Sequence, residues 1–193
     1  MMANVKKVQL EMLADRGYII SKDELWLLED NDNSSFEQKR IKWNNTYKNI
    51  DNTRTIYVHY LSGDSMIEDV RFFVLQMEKN SEGIIIGDSE QIKTINKKIY
   101  QEELKKIKFT KSIQIFDHDE LTYNVTKSIY VPKHELISMD DIIHFVHKDQ
   151  LSLIYTTDPI SKYYNWSVGD VIRVYEYNDI TSYMTINYSV IVS

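Results

Sequence analysis

The sequence predicts a mixed α and β chain in two domains: an α/β unit over residues 1–125 and a small α+β unit over residues 126–193 built on a short mixed sheet. Three observations predict it. Up to about residue 117, strand-length segments rich in β-branched residues alternate with segments of helical period, the signature of βαβ units with a parallel or mixed sheet. Past residue 126 that alternation gives way to extended segments around a short, sharply punctuated helix. A chain of 193 residues is also long enough to bury a core without disulfide staples.

The elements follow in order. In NVKKVQLEMLADRGYIIS, Val5, Val8 and Met12 recur at helical spacing with Leu13 beside them, and Gly17 supplies the left-handed residue that ends the helix. Ser21 and Glu24 have the spacing of a capping box for a second helix carrying Leu25 and Leu28. Residues 30–53 are polar, rich in Asn and Asp, and read as loop with one broken helix, pinned by Phe36 and Trp43. RTIYVHYL (54–61) is dominated by β-branched and aromatic residues and predicts a strand. SMIEDVRFFVLQMEKN predicts a helix with Val70, Val74 and Met77 inward, and GIIIG (83–87) a short buried strand. SEQIKTINKKIYQEELKKI predicts a helix with Ile92, Ile95 and Ile99 inward, then Tyr100, Leu104 and Ile107, and KSIQIFD a third strand.

In the second domain SIYVPKHELIS is extended around Pro132, and Ser138 with Asp141 caps a helix through about Lys148. Asp158 is an N-cap with Pro159 at the first helical position, where its missing N–H costs nothing. ISKYY is the short helix, and Asn165 tolerates the left-handed stop. Gly169-Asp170 turns the chain into the alternating strand VIRVYEY, Asn178-Asp179 turns it again, and YMTINYSVIV is the last strand. No internal repeat or low-complexity linker is present.

Composition narrows the function. The net charge of −6 argues against strong unaided nucleic-acid binding, because affinity there comes largely from phosphate neutralisation. Absent cysteine excludes disulfides and thiolate zinc sites and fits a reducing compartment. No segment has the length and hydropathy of a membrane span, and the opening residues do not read as a signal peptide. Sequons such as Asn124-Val125-Thr126 read as chance products of an Asn-rich chain.

Several patterns resemble chemistry. DNDNSS (30–35) has the start of a calcium loop but lacks the glycine at its sixth position and a closing Glu, Ile41 standing at the twelfth. His144 and His147 lie three apart on a predicted helix near Asp140 and Asp141, without a strong third ligand. Glu103-Leu104-Lys105 and Glu37-Gln38-Lys39 match the E-x-K core of restriction-type nucleases, but fall in a helix and near a loop rather than on a strand. Lys93, Lys97 and Lys98 open a basic block that runs to Lys111, either a solvated helix face or a weak phosphate-facing surface. Tyr175, Tyr177, Tyr183 and Tyr188 read as core or interface strand residues or as a stacking platform. No phosphate loop, nucleophile elbow or dinucleotide fingerprint is present.

FDHDELTYNVTKSIYVPKHELIS followed by TTDPISKYYNWSVGDVIRVYEY resembles the fifth common subunit of eukaryotic RNA polymerases, and its C-terminal part resembles the counterpart of that subunit in archaeal RNA polymerase. The carrying motifs are Val131-Pro132-Lys133-His134, Asp158-Pro159, Tyr163-Tyr164 and Gly169-Asp170-Val171-Ile172, with RGYIISKDEL (16–25) resembling the family's opening helix and cap. The resemblance implies an N-terminal jaw of nuclease-like but inactive α/β fold and a C-terminal assembly domain docked on the largest polymerase subunit. It implies Pro132, His134, Asp158, Pro159, Tyr163, Tyr164 and Gly169 as shape-determining docking residues. Gly87, Asp88 and Ser89, with Lys93, Lys97 and Lys98, are its DNA-side candidates.

Implied partners are the largest and other polymerase subunits and, through the complex, downstream duplex DNA. No cofactor, catalytic residue, metal, small-molecule substrate or membrane is implied. The sequence departs from the family pattern at Leu151-Ser152-Leu153-Ile154, where Leu-Pro-Arg-Ile is usual, at Asn165 for Gly, and at Tyr188-Ser189 for Tyr-Arg. It departs again at the acidic GDSEQ (87–91) where the DNA loop carries Thr-Pro-Ser-Ala. Such drift points to a large DNA virus with its own transcription machinery, hence cytoplasm and virion, or the nucleus for a cellular chain. The alternatives to a polymerase subunit are a nuclease of the restriction-enzyme fold and a free-standing transcription adaptor.

Overall fold

The computed structural model of the chain describes residues 2–26, 43–61, 66–78, 81–95, 112–141, 151–178 and 183–193. The chain divides into two compact units, Met1–Tyr123 and Asn124–Ser193.

The first unit opens with α1 (Met2–Asp15), stopped at Gly17 in the left-handed region at φ 86°. A short α2 (Lys22–Trp26) follows, and the N–H of Glu24 donates to Ser21 Oγ at 3.3 Å, as the capping box predicts. Four strands then form one sheet in the order β1 (Asn45–Lys48), β2 (Thr55–Tyr60), β3 (Glu82–Gly87), β4 (Ser112–Asp117). The pair β1–β2 is antiparallel, and β2, β3 and β4 run parallel. Helix α3 (Met66–Gln76) joins β2 to β3, and α4 (Ser89–Ile95) opens the β3–β4 connection.

Register divides the side chains between two faces. Ile56, Val58 and Tyr60 of β2 stand with Ile84 and Ile86 of β3 and Phe116 of β4, all buried. The opposite face carries Ile85, which clusters with Val70, Phe73, Val74 and Met77 around α3 and with Ile95 of α4. Strand β3 is covered on both sides, which is why its sequence is an unbroken apolar run. The flanking glycines give the helices room: a Cβ on Gly83 would stand 2.8 Å from Met77 Cε, and one on Gly87 2.7 Å from Leu61 Cδ1.

The sequence predicts loop over residues 30–53, and β1 corrects it. In Asn-Thr-Tyr-Lys only Tyr47 is buried, so an edge strand left one apolar residue in four to signal itself. Trp43 is buried as expected, its ring 5.5 Å from that of Tyr60. Phe36, Leu28, Ile99, Tyr100, Leu104 and Ile107 lie outside the described residues.

Helix α1 buries more than its predicted stripe. Lys6 is 3% exposed and Gln9 0%. Lys6 Nζ donates to the Trp43 carbonyl (3.2 Å) and to Tyr47 Oη (3.0 Å), and Tyr47 Oη donates to Glu24 Oε1 (2.6 Å). Tyr60 Oη donates to Gln9 Oε1 at 3.4 Å. Burial pushes the Lys6 ammonium down to about 8, opposed by the charge of Glu24.

The second unit holds a four-stranded sheet in the order β5 (Lys133–Ile137), β7 (Val171–Asn178), β8 (Tyr183–Val192), β6 (Ser152–Tyr155). The edge pair β6–β8 is parallel and the other pairs are antiparallel, so the sheet is mixed. Helix α5 (Pro159–Tyr164) lies in sequence between β6 and β7. Ile172, Val174 and Ile191 are buried on one face with Ile154 and Trp166 against them. Leu151, Val171 and Val190 are buried on the other, against Ile137, Tyr188 and Val192. Strand β6 is not apparent in the sequence: it is four residues long and leaves Ser152, Leu153 and Tyr155 exposed. The cap expected at Ser138 is present, the Asp140 N–H donating to Ser138 Oγ and the Ser138 N–H to Asp141 Oδ2. Past the single 3₁₀ turn Met139–Asp141, the predicted helix lies outside the described residues.

Candidate functional site

In the second unit, local chemistry sets the chain before any packing does. Asp158 Oδ1 accepts the Ile160 N–H at 2.9 Å, and Pro159 follows at the first helical position of α5. One turn later Asn165 adopts φ 59°, ψ 43°, and its N–H is received by the carbonyls of Lys162 and Ser161. Gly169, at φ 96°, carries the next turn: its N–H donates to the Ile191 carbonyl at 2.9 Å, splicing the turn onto the end of β8. No atom lies within 4 Å of a Cβ built on Gly169, so the need for glycine there is backbone conformation and not space.

Tyr163 is buried, and its hydroxyl accepts Asn124 Nδ2 at 3.0 Å. Asn124, 4% exposed, accepts in turn from the N–H and Oγ1 of Thr126. The Asn-Val-Thr sequence therefore serves as a buried hydrogen-bonded turn tying the start of the unit to α5. Reading it as a chance sequon misses that role, although an Asx-turn is what Asn followed by Thr two residues on can signal. Tyr164 packs edge-on to Tyr163 (5.1 Å, 80°) and stacks on Trp166 (5.0 Å, 16°). His134 lies 6.3 Å from the Trp166 ring, and its Nδ1 donates to the Pro132 carbonyl at 2.7 Å, which fixes the proton on that nitrogen.

Four of the seven expected docking residues, Pro132, His134, Asp158 and Pro159, line one hollow of about 440 Å³. Pro132, His134 and Tyr164 share a second of about 210 Å³. Tyr163 and Gly169 line neither hollow: the first is buried in the core and the second carries a turn. Tyr130, on the lining of the larger hollow, and Ile129 next to it project at 88% and 89% exposure, a signal present in the sequence as two bulky apolar residues before Val131-Pro132.

The tyrosines divide. Tyr175, Tyr177 and Tyr188 share one sheet face by register, while Tyr183 pairs with Asn178 and belongs to the other. Tyr175 Oη donates to Glu135 Oε2, and the Lys133 ammonium lies 5.2 Å from the Tyr175 ring. The hydrogen bond to Tyr175 holds the Glu135 carboxyl below its usual range, with Lys133 and Arg173 acting in the same direction.

At the carboxyl ends of β3 and β4 in the first unit, Asp88, Ser89, Glu90, Asp117, His118 and Asp119 line a hollow of about 300 Å³. Asp88 Oδ1 accepts the N–H groups of Glu90 and Gln91, and Ser89 Oγ donates to Asp117 Oδ2. Burial lowers the His118 pKa against the opposing pull of Asp88, Asp117 and Asp119. Gly87 is buried in β3. A phosphate entering this hollow would meet carboxylates, while Lys93 on α4 is exposed. Lys97, Lys98, His144, His147, the DNDNSS loop and both E-x-K triplets lie outside the described residues. Among the described residues no group of three or more acidic or histidine side chains is arranged to hold a metal ion.

Residues 123–191 match the family model described as RNA polymerase Rpb5, C-terminal domain. Over 177 residues the chain is 27% identical to DNA-directed RNA polymerases I, II, and III subunit rpabc1 of Dictyostelium discoideum, covering 88% of this chain and 87% of that one. It is 24% identical over 196 residues to DNA-directed RNA polymerases IV and V subunit 5B of Arabidopsis thaliana, covering 95% and 86%. It is 27% identical over 205 residues to the DNA-directed RNA polymerase subunit 5-like protein 1 of the same plant, covering 96% and 94%. The motifs at Val131–His134, Asp158-Pro159, Tyr163-Tyr164 and Gly169–Ile172 lie inside the matched domain, and the similarity to these polymerase subunits runs through both units.

Proposed function

We propose that the chain is a non-catalytic subunit of a multisubunit DNA-directed RNA polymerase. Asn124–Ser193 docks it on the largest subunit, and the first unit serves as a jaw beside downstream duplex DNA. The observation that carries the reading is the use made of the signature residues: Asp158, Tyr163, Tyr164 and Gly169 are spent on a cap, a core hydrogen bond, an aromatic stack and a turn. Such chemistry fixes a surface and activates no nucleophile, and a preformed surface binds with little ordering cost. Nucleotidyl transfer and its metal ions belong to other subunits, and this chain contributes no catalytic group. DNA contact at the jaw, where made, uses the Lys93, Lys97 and Lys98 side, and the affinity is borrowed from the rest of the enzyme because the chain carries a net charge of −6.

Affinity purification of the tagged chain from its native source tests the reading. Large polymerase subunits in stoichiometric yield are the expected result. A tagged chain recovered free of them would overturn it. Supercoiled plasmid incubated with the purified chain and magnesium or manganese is expected to stay intact.

A further inference from the structure

The hollow beside Pro132 has a chemistry more specific than a docking face requires. Its apolar wall is made by Val131, Pro132, Ile154 and Val174, with the end of α5 behind it at Ile160. Two carboxylates, Asp158 and Glu176, stand on its lining, and among the described residues no lysine or arginine does. Asp158 Oδ1 accepts from the Ile160 N–H and Glu176 Oε2 from Asn187 Nδ2 at 2.9 Å, both neutral donors. Lys133, next to Pro132 in sequence, lines the two neighbouring hollows instead and lies against the Tyr175 ring.

From this geometry we infer that the hollow receives a segment of a partner polypeptide carrying one branched aliphatic side chain with a lysine or arginine beside it. The aliphatic group fills the apolar wall, and the cation reaches Asp158 and Glu176. The inference rests on reading Asn124–Ser193 as a docking module, and names the chemistry of what docks. A nucleic acid is a poor occupant, because its phosphates would face both carboxylates. A second copy is also a poor one, because two chains of net charge −6 repel and each would present the same acidic lining. A small metabolite held in the hollow against Tyr130 would leave Ile129, next to it and almost fully exposed, without cover. A polypeptide lying across both residues covers them and fills the hollow at once.

The test uses the full ¹⁵N-labelled chain and three synthetic peptides: Ac-Ser-Ile-Lys-Arg-Ser-amide, Ac-Ser-Ile-Glu-Glu-Ser-amide and Ac-Ser-Gly-Lys-Arg-Ser-amide. The first is expected to shift the amides of Val131, His134, Ile154, Val174 and Glu176, with a dissociation constant about threefold to tenfold below the other two. The double variant Asp158→Asn, Glu176→Gln keeps a capping side chain at the start of α5 and is expected to erase that preference at an unchanged melting temperature. Glu176→Gln alone, at an exposed side chain, moves the same way by less. Equal binding of the three peptides, or shifts confined to other amides, overturns the inference. Polymerase recovery with the tagged double variant is the separate readout. A wild-type chain that enters polymerase but shows no peptide preference defeats the inference and leaves docking standing. A chain that prefers the basic peptide yet is never found with polymerase defeats docking and leaves the hollow's chemistry standing.

Discussion

In the unit Met1–Tyr123 the central strand is sealed on both faces, and even Lys6, Gln9 and His59 are buried. In Asn124–Ser193 the sheet has a small core on each face, while Leu136, Leu153, Tyr155, Tyr177, Met184 and Ile186 stay exposed on its strands. Both units have buried apolar cores, but those of the second are smaller, and caps, turns and a few buried hydrogen bonds fix the chain around them. By register Leu153, Tyr155, Tyr177, Met184 and Ile186 share one face and Leu136 lies on the other, and exposed apolar side chains gathered on one rigid face are the kind of surface that protein contacts use. The contrast can be broken by mutation, because each mode of stabilisation fails with its own magnitude.

The largest difference is expected between core and rim isoleucine or leucine. Ile85→Ala removes a fully buried side chain from the cluster around Val74 and is expected to cost about 2–5 kcal/mol in urea denaturation. Leu153→Ala, at an exposed position on edge strand β6, is expected to stay within about 0.5 kcal/mol of the parent. Its effect should appear as reduced recovery of polymerase subunits with the tagged chain. A large stability loss at Leu153 would mean that the second unit is closed on itself and has no rim to offer.

Next in size is a pH effect that only the first unit should show. Lys6 has its pKa lowered from 10.5 to about 8 by burial, so the folded state gives up this proton before the unfolded state does. Between those values the unfolded chain binds more protons, and stability therefore rises with pH, by an amount on the order of 3 kcal/mol if the full shift is realised. Below about pH 8 the penalty is constant. Above about pH 10 the trend reverses, because Tyr18, Tyr47 and Tyr60 have phenol pKa values raised by burial and ionise first in the unfolded chain. Denaturation midpoints from pH 7 to about 10 should climb in the parent and stay flat in Lys6→Met. A flat parent profile would place Lys6 in contact with water.

The same contrast governs what the sequence disclosed. GIIIG could be read as a buried strand because burial on both faces leaves nothing but apolar residues, and Val70, Val74 and Met77 because one helical face is enough to see a period. The inward Lys6 and Gln9 could not, since a polar residue on a helix looks solvated until Tyr47, Trp43 and Tyr60 arrive to pair with it. Edge strands β1 and β6 escaped notice for a related reason: half of their backbone groups and most of their side chains face outward, so composition carries little of their hydrogen bonding. At the site, Asp158-Pro159, Asn165 and Gly169 announced themselves because each is a local conformational device. The hollow was not legible, because it joins the Pro132 segment, β6, α5 and β7, which only the sheet order brings together.

The smallest expected effects rank those local devices against one another. Gly169→Ala forces a Cβ into φ 96°, with no neighbour to clash, and is expected to cost about 1–2 kcal/mol from backbone strain alone. Asp158→Ala removes the cap and should cost about 1 kcal/mol, which Asp158→Asn restores. Asn165→Gly should fall within about 0.5 kcal/mol of the parent, because relief of the left-handed backbone is offset by the greater freedom of glycine in the unfolded chain. Thermal melts of the full chain, followed by amide resonances of the second unit such as those of Ile172 and Ile191, resolve this order. If Asn165→Gly instead destabilised by as much as Gly169→Ala, the helix stop would depend on what the Asn165 side chain touches, and conformation alone would no longer account for how this unit holds the surface proposed for docking.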